Sequence, residues 1–346
     1  MTNLSGRNHI VHVVGTRPQF PKVAPVWRAL RNYNVTQTVI HTGQHYDDRM
    51  SKEIIEDTGC HINLTLDNGT RKDKKQSLRR LFKLHQTDMV MVYGDCNTSL
   101  DAAQAALDTH TEFAHVEAGL RCGDMRMIEE YNRIQIDKYA DILYVPSVDA
   151  VYNLAREGRC FEDIQFVGNV MADSYYWHMA QGCAVTGRRN FGLVTMHRPE
   201  NVDDPAFMDR FMEALAELQY PLIFPKHPRV MPLNLIPLNV EIVEPMRYRD
   251  FNAHIRACTF LITDSGGLQE EATLTHTPCL TMRPSTERPV TITEGTNELS
   301  TIETLREQVR LIRDNQWGVK PSSIPLYWDG KAAERIAAHL QRYLHQ

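Results

Sequence analysis

With 346 residues, 42% of them hydrophobic and 23% charged, the chain is long enough for two α/β domains of ~100–200 residues each and can bury sizeable cores. A formal net charge of −5 argues against a nucleic-acid partner held by general electrostatics, and no apolar run approaches the ~20 residues of a membrane span. Seven cysteines, at 60, 96, 122, 160, 183, 258 and 279, are scattered without a C-x-x-C, and read as reduced, buried small hydrophobes of a cytoplasmic protein rather than a disulfide frame or zinc site.

The N-terminal segment lacks the basic start and apolar core of a leader, and its apolar run opens a series of predicted strands. In chain order these are 9–14 (HIVHVV), 37–42 (QTVIHT), 88–93 (DMVMVY), 112–117 (EFAHVE), 141–146 (DILYVP) and 164–168 (IQFVG). Beyond a polar, glycine-containing seam at 177–191 they resume at 191–196 (FGLVTM), 221–225 (PLIFP), 240–245 (VEIVEP), 260–263 (FLIT) and 278–282 (PCLTM). Helical patterns lie between them. In 204–218, Asp204 can cap, Pro205 suits the first turn, and Phe207, Phe211 and Leu215 fall four apart on one face. The densely basic stretch 67–84 reads as a solvated, partly mobile face. The tail 329–346 reads as an amphipathic helix packed on the body. Apolar strands without alternation, separated by helices, predict parallel sheets covered on both faces. The expected fold is α/β, with two doubly wound domains at 1–172 and 173–328 and a ligand cleft between them, at the carboxyl ends of strands.

Chemistry-bearing residues follow those strands. After the first come Arg17 and Lys22, and after the third Asp95. Glu117 ends the fourth, and the pair Glu129 and Glu130 follows in IEEYNR. In the second half come His197 with Arg198, then the run Asp264-Ser265-Gly266-Gly267, and then Arg288. Ser265, Gly266 and Gly267 would present consecutive amides at a helix N-terminus, where the dipole favours an anion and glycine lets phosphate oxygens approach. A plain tight turn has the same composition. Arg17, Lys22, His197 and Arg288 favour a diphosphate there. Glu270 and Glu271 suit either the two hydroxyls of a ribose or the dipole of a first helical turn. Asp95 and Glu117 end apolar strands, a poor place for an unpaired charge unless it faces a cleft or a cation. They can be salt-bridged by Arg121 and Arg133, or they can share acid–base work with Glu129, one holding a proton while another accepts it; three together favour chemistry. His85 and His115 read as structural.

The strings GTRPQFPK, HTGQHYDD, YGDCNTSL, HVEAGLR, EEYNR, MHRPEN, KHPR, TDSGGLQEEA and TERP, in this order between about residues 10 and 300, resemble the motifs of the non-hydrolysing UDP-N-acetylglucosamine 2-epimerases. The resemblance implies two Rossmann-like domains of the GT-B type, a C-terminal helix (329–346) crossing back to the first domain, and a homodimer acting on a UDP-sugar without metal or nicotinamide cofactor. It implies Arg17 and Lys22 near the nucleotide, with Arg133 and Arg288 among the substrate-binding residues. Ser265, Gly266 and Gly267 would meet the diphosphate, Glu271 the ribose and His197 the phosphates, while Asp95, Glu117 and Glu129 are the acid–base carboxylates. Departures occur at His197-Arg198-Pro199-Glu200, where the family carries His-Arg-Arg-Glu, and at Gly43-Gln44-His45-Tyr46-Asp47, where it carries Gly-Gln-His-Arg-Glu. Gln44, His45, Arg198 and His227 are the residues that can remain from an activating UDP-sugar site. MRMIEEYNRI (125–134) is nearer to relatives acting on UDP-2,3-diacetamido-glucuronic acid. A GT-B glycosyltransferase, a hydrolysing epimerase and a silent UDP-sugar sensor are the competing functions.

Overall fold

The computed structural model describes residues 8–43, 58–67, 69–182, 190–317 and 323–345. Its chain divides into two compact units, Met1–Trp177 with Leu326–Gln346, and His178–Pro325. These boundaries fall a few residues away from the expected 172 and 328. The Val170–Ala180 helix runs through the first boundary, so no loop marks it in the sequence.

The first unit is built on strands β1 (Asn8–Val14), β2 (Val35–His41), β3 (Leu64–Thr65), β4 (Met89–Tyr93), β5 (Glu112–Val116), β6 (Ile142–Val145) and β7 (Ile164–Phe166). They pair in the order β3-β2-β1-β4-β5-β6-β7, parallel at every pairing. Along β1 the side chains divide between two cores. Ile10 and Val14 pack with the Phe20–Leu30 helix, whereas Val11 and Val13 pack with Leu78, Phe82 and Ile136 on the other face. That two-sided burial explains the unbroken apolar strands.

The basic stretch forms the helix Arg71–Leu84, which buries Leu78 and Phe82, leaves most of its other residues exposed or half-exposed, and pairs Arg71 and Arg79 with Asp101 and Asp108 of the next helix. The Ala332–Tyr343 helix buries Ala332, Ala333, Ile336, Ala337 and Leu340 in the first unit's core. Asp173 accepts hydrogen bonds from the Ala332 and Ala333 amides at 3.1 and 2.8 Å, capping that helix.

The second unit repeats the plan with β8 (Gly192–Thr195), β9 (Leu222–Pro225), β10 (Val240–Val243), β11 (Phe260–Thr263), β12 (Cys279–Thr281) and β13 (Asn297–Leu299). The order is β10-β9-β8-β11-β12-β13, again parallel throughout. Asp204 caps the Pro205–Glu217 helix by accepting from the Ala206 and Phe207 amides, and Phe211 and Leu215 are buried as its spacing predicts. In both sheets the strand order reverses between the first and fourth strands, β1/β4 and β8/β11. A doubly wound sheet opens a crevice at the carboxyl ends of such a pair. Of the six described cysteines Cys60, Cys258 and Cys279 are buried, but Cys96 and Cys122 are half-buried and Cys160 is exposed, so the uniform buried reading fails; all six are free thiols.

Leu340 is fully buried and Arg342 exposed on the C-terminal helix. Leu340→Ala is expected to cost about 2–5 kcal/mol in urea unfolding followed by circular dichroism, and Arg342→Ala no more than about 0.5 kcal/mol. Equal costs would remove this helix from the first unit's core.

Candidate functional site

In the first unit the turns after β1 and β4 are stitched together by one side chain. Gln19 Oε1 accepts from the Gly15 and Thr16 amides at 2.7 and 3.0 Å, while Nε2 donates to the Tyr93 carbonyl at 2.8 Å and to Ser99 Oγ at 3.0 Å. Arg17 stands half-exposed on this turn. Lys22, one turn into the following helix, forms an ion pair with Glu117. Gly94 makes room for that pair, because a Cβ there would lie 2.9 Å from Lys22 Nζ and 3.3 Å from Glu117 Oε2. Glu117 itself has φ +75°, an uncommon conformation for a bulky residue. Of the two arginines that could pair these carboxylates, Arg121 meets Asp137 at 2.7 Å and Glu157 at 2.7 Å.

The EEYNR segment opens the helix Ile128–Tyr139, and its residues divide by helical phase. Glu130 faces inward, 1% exposed, and accepts from the Cys122 and Gly123 amides at 3.0 and 2.8 Å. Burial opposes its ionisation, but those amides and Arg133 outweigh it and hold the carboxyl below the ordinary range. Arg133 bridges Glu130 at 2.6 Å and Asp95 at 2.6 Å, and Asn132 donates to the Asp95 carbonyl at 2.8 Å. Asp95 keeps a 30% exposed side chain, and Glu129 stays half-exposed in the first turn. The first unit thus brings Lys22, Asp95, Glu117 and Arg133 to the ends of β4 and β5 and the helix that braces them.

The second unit centres on Asp264, a residue the sequence reading left without a role. Its buried carboxylate accepts from the His197 and Arg198 amides at 3.1 and 2.9 Å, from Asn201 Nδ2 at 3.0 Å and from His197 Nδ1 at 2.9 Å. Burial opposes ionisation, yet His197, the Arg198 amide and Asn201 keep the Asp264 carboxyl below its ordinary range. The signal was present: an aspartate ending an apolar strand, the same feature that singled out Asp95 and Glu117. The His197 ring lies 5.7 Å from the His227 ring, and Arg198 Nε donates to the Asp264 carbonyl at 3.0 Å. Gln44 and His45 lie outside the described residues.

At the turn after β11 the glycines do different work. The Ser265 amide donates to Thr263 Oγ1 at 3.0 Å, so it is spent within the strand end rather than offered to a ligand. A Cβ on Gly266 would strike Glu287 Oε1 at 2.4 Å and Arg288 Nη1 at 2.6 Å, whereas one on Gly267 would meet nothing within 4 Å. Gly266 therefore serves close packing, and Gly267 leaves open space at the start of the Gly266–Leu274 helix, which the Ser265 side chain does not cap. Arg288 sits between Glu270, at 2.9 Å, and Glu287, and Arg283 reaches Glu287 at 2.9 Å.

Glu270 and Glu271 lie in the second turn, not the first, which removes the helix-dipole reading. Glu271 is fully enclosed beside Tyr248 and Asn252, and burial, aided by repulsion from Glu270, pushes its carboxyl up to about 8.

A sequence model of the UDP-N-acetylglucosamine 2-epimerase family matches residues 28–341. The chain is 35% identical to a UDP-2,3-diacetamido-2,3-dideoxy-D-glucuronate 2-epimerase of Pseudomonas aeruginosa, over 96% of this chain and 99% of that one. It is 32% identical to the UDP-N-acetylglucosamine 2-epimerase of Methanocaldococcus jannaschii, covering 94% and 96% of the two chains. The crystal structure of the Methanocaldococcus jannaschii UDP-GlcNAc 2-epimerase in complex with UDP-GlcNAc and UDP superposes with a TM-score of 0.84 at 31% identity, covering 96% of this chain and 99% of that one. The doubly wound fold, the strand-end constellation and these matches together place the chain in the UDP-N-acetylglucosamine 2-epimerase family.

Proposed function

We propose that this chain interconverts UDP-N-acetylglucosamine and UDP-N-acetylmannosamine, by eliminating UDP to a 2-acetamidoglucal and adding it back on the other face. The observation that carries the reading is the pair of carboxylates Asp95 and Glu117, which follow the paired strands β4 and β5 and meet Arg133 and Lys22, with Glu129 in the first turn of the helix that carries Arg133. The C2 proton has no adjacent carbonyl to acidify it. Departure of the anomeric phosphate must therefore develop positive charge at the sugar as that proton leaves. In the forward half, C2–H and C1–O break, a carboxylate takes the proton, UDP takes the C–O electron pair, and a C1–C2 double bond forms. Return of a proton from the opposite face with re-addition of UDP gives the epimer.

In this reading the Gly266–Gly267 amides and His197 stabilise the diphosphate as it leaves. Asp264, accepting at Nδ1, orients the His197 ring so that Nε2 is the nitrogen a phosphate meets. Arg17 lies near the nucleotide, and Glu271 reaches the ribose. Lys22 and Arg133, paired with Glu117 and Asp95, keep positive charge against those carboxylates, and Arg288 braces the Gly266 turn. Arg198 and His227, beside His197, are the second unit's residues for an activating nucleotide. The reading extends to a homodimeric cytoplasmic enzyme without a nucleic-acid partner, supported by the family motifs and the net charge of −5. No helix among the described residues is long and apolar enough to cross a membrane.

A second substrate, UDP-2,3-diacetamido-glucuronate, is favoured by the 35% identical Pseudomonas aeruginosa relative. Incubation in deuterated water separates the two. Proton NMR should find deuterium at C2 of both product and recovered substrate for the sugar that is used; no label with any UDP-sugar of the panel would sink the proposal.

Asp95→Asn and Glu117→Gln should each lower kcat by ~10²–10⁴ while UDP affinity, measured by calorimetry, stays within about threefold. Parallel loss of binding would make these residues structural. Glu271→Gln tests the buried acid. With a folded-state value of about 8 against ~4.3 when unfolded, the wild-type carboxyl is held protonated where the unfolded chain ionises. Its contribution is fully present below pH ~4 and is lost as pH rises towards 8. The Gln variant should therefore match the wild-type Tm near pH 4 and exceed it at pH 8; equal Tm values at both would show that Glu271 ionises normally.

A further inference from the structure

His115 and Asp137 have no part in the chemistry proposed above, yet both are completely buried in the first unit. Burying charge in this way is costly unless its partners are fully arranged, so the atoms they hold are informative. His115 lies on β5, two residues before Glu117. Asp137 lies on the Ile128–Tyr139 helix that also carries Glu129 and Arg133. His115 Nδ1 is 2.5 Å from Asp137 Oδ1, and Nε2 is 3.0 Å from the Gly94 carbonyl oxygen. The other Asp137 oxygen accepts from the Gly119 amide at 3.0 Å and from Arg121 at 2.7 Å, and Arg121 is itself shared with Glu157.

The proton count follows from the partners. A carbonyl oxygen can only accept, so Nε2 carries a hydrogen. Burial opposes ionisation of Asp137, but His115, Arg121 and the Gly119 amide outweigh it and hold the carboxyl below its ordinary range. His115 Nδ1 faces that carboxylate, so the ring spans from the helix to the Gly94 carbonyl.

What the pair touches gives it a role. Gly94 immediately precedes Asp95, and Gly119 follows Glu117 by two residues. Between them Glu117 holds its φ of +75°, a conformation that persists only where the surroundings impose it. Main-chain bonds from Gly94 N to Val116 O and from Glu117 N to Tyr144 O, at 3.0 and 3.1 Å, fix the same turns from outside.

We infer that His115 and Asp137 are positioning residues for the acid–base chemistry: a buried histidine–aspartate bridge that sets the spacing of the turns carrying Asp95 and Glu117. The inference rests on the function proposed above, and it assigns that function an internal ruler. A shift of about 1 Å between reacting groups can cost ~10²-fold in rate, so loss of the bridge should appear in turnover and not in nucleotide affinity.

The test has two arms. Histidine nitrogen NMR of the intact wild-type protein should show a hydrogen on His115 Nε2, the nitrogen that faces the Gly94 carbonyl; a bare Nε2 overturns the bridge. His115→Gln and Asp137→Asn, assayed by C2 deuterium exchange, should lose ~10–10²-fold in kcat with KM and UDP affinity within about twofold. A folded variant with wild-type kcat overturns the inference, as does one that loses UDP binding in parallel. Should both variants fail to fold, the wild-type nitrogen spectrum still decides. A wild-type protein with no exchange on any UDP-sugar defeats the proposed function, while the His115 Nε2 hydrogen is read without substrate.

Discussion

A carboxylate buried where an apolar strand ends has to find hydrogen-bond donors, and here the donors are the loops that carry the candidate chemistry. Asp264 gathers the His197 and Arg198 amides, the His197 ring and Asn201. Glu130 gathers Cys122, Gly123 and Arg133. Asp137 gathers His115, Gly119 and Arg121. Leaving any of these anions unsatisfied would cost several kcal/mol, so the loops have little choice of conformation. Loops are otherwise the least constrained part of a doubly wound domain, and tying them to buried charge is how a strand-end site acquires fixed geometry.

The acidic residues divide accordingly. Asp264, Glu130 and Asp137 hold loop amides and are structural anchors. Asp95 and Glu117 meet the side chains of Arg133 and Lys22, and Asp95 keeps a 30% exposed side chain. The second unit shows the converse with cations. Arg283 and Arg288 are largely consumed by Glu270 and Glu287, so the turn at Gly267 relies on main-chain amides for its positive character.

The sheets were legible because both faces of each are covered, which makes strands continuous apolar runs. All eleven predicted strands are present. The two that escaped, Leu64–Thr65 and Asn297–Leu299, are short edge strands with polar residues and one paired neighbour. Strand ends were equally readable: Arg17, Asp95, His197 and Gly266 follow β1, β4, β8 and β11, whereas Glu117, His227 and Arg288 follow β5, β9 and β12. What could not be read was phase and partnership. Glu129 and Glu130 are adjacent in sequence, and only the rotation of the helix buries one and exposes the other. Gly266 and Gly267 look equivalent until Glu287 and Arg288, some twenty residues on, pack against the first. Asp264 was passed over because Asp-Ser-Gly-Gly reads as a turn, and a turn explains an aspartate too cheaply.

This division also separates positions that are fixed from positions that are free to vary. The residues that fix the turns, His115, Asp137, Glu130 and Asp264, are buried and answer to partners within their own unit, so substitution at any of them disturbs geometry whatever the sugar. The segment leading into the Ile128–Tyr139 helix is constrained much less: Met125 and Ile128 are 61% and 54% exposed, and Glu129 projects from the first turn. Residues there can change without breaking a buried ion pair. Packing therefore leaves the start of that helix free to vary in sequence, while the turns behind it are held by buried partners that tolerate no such change.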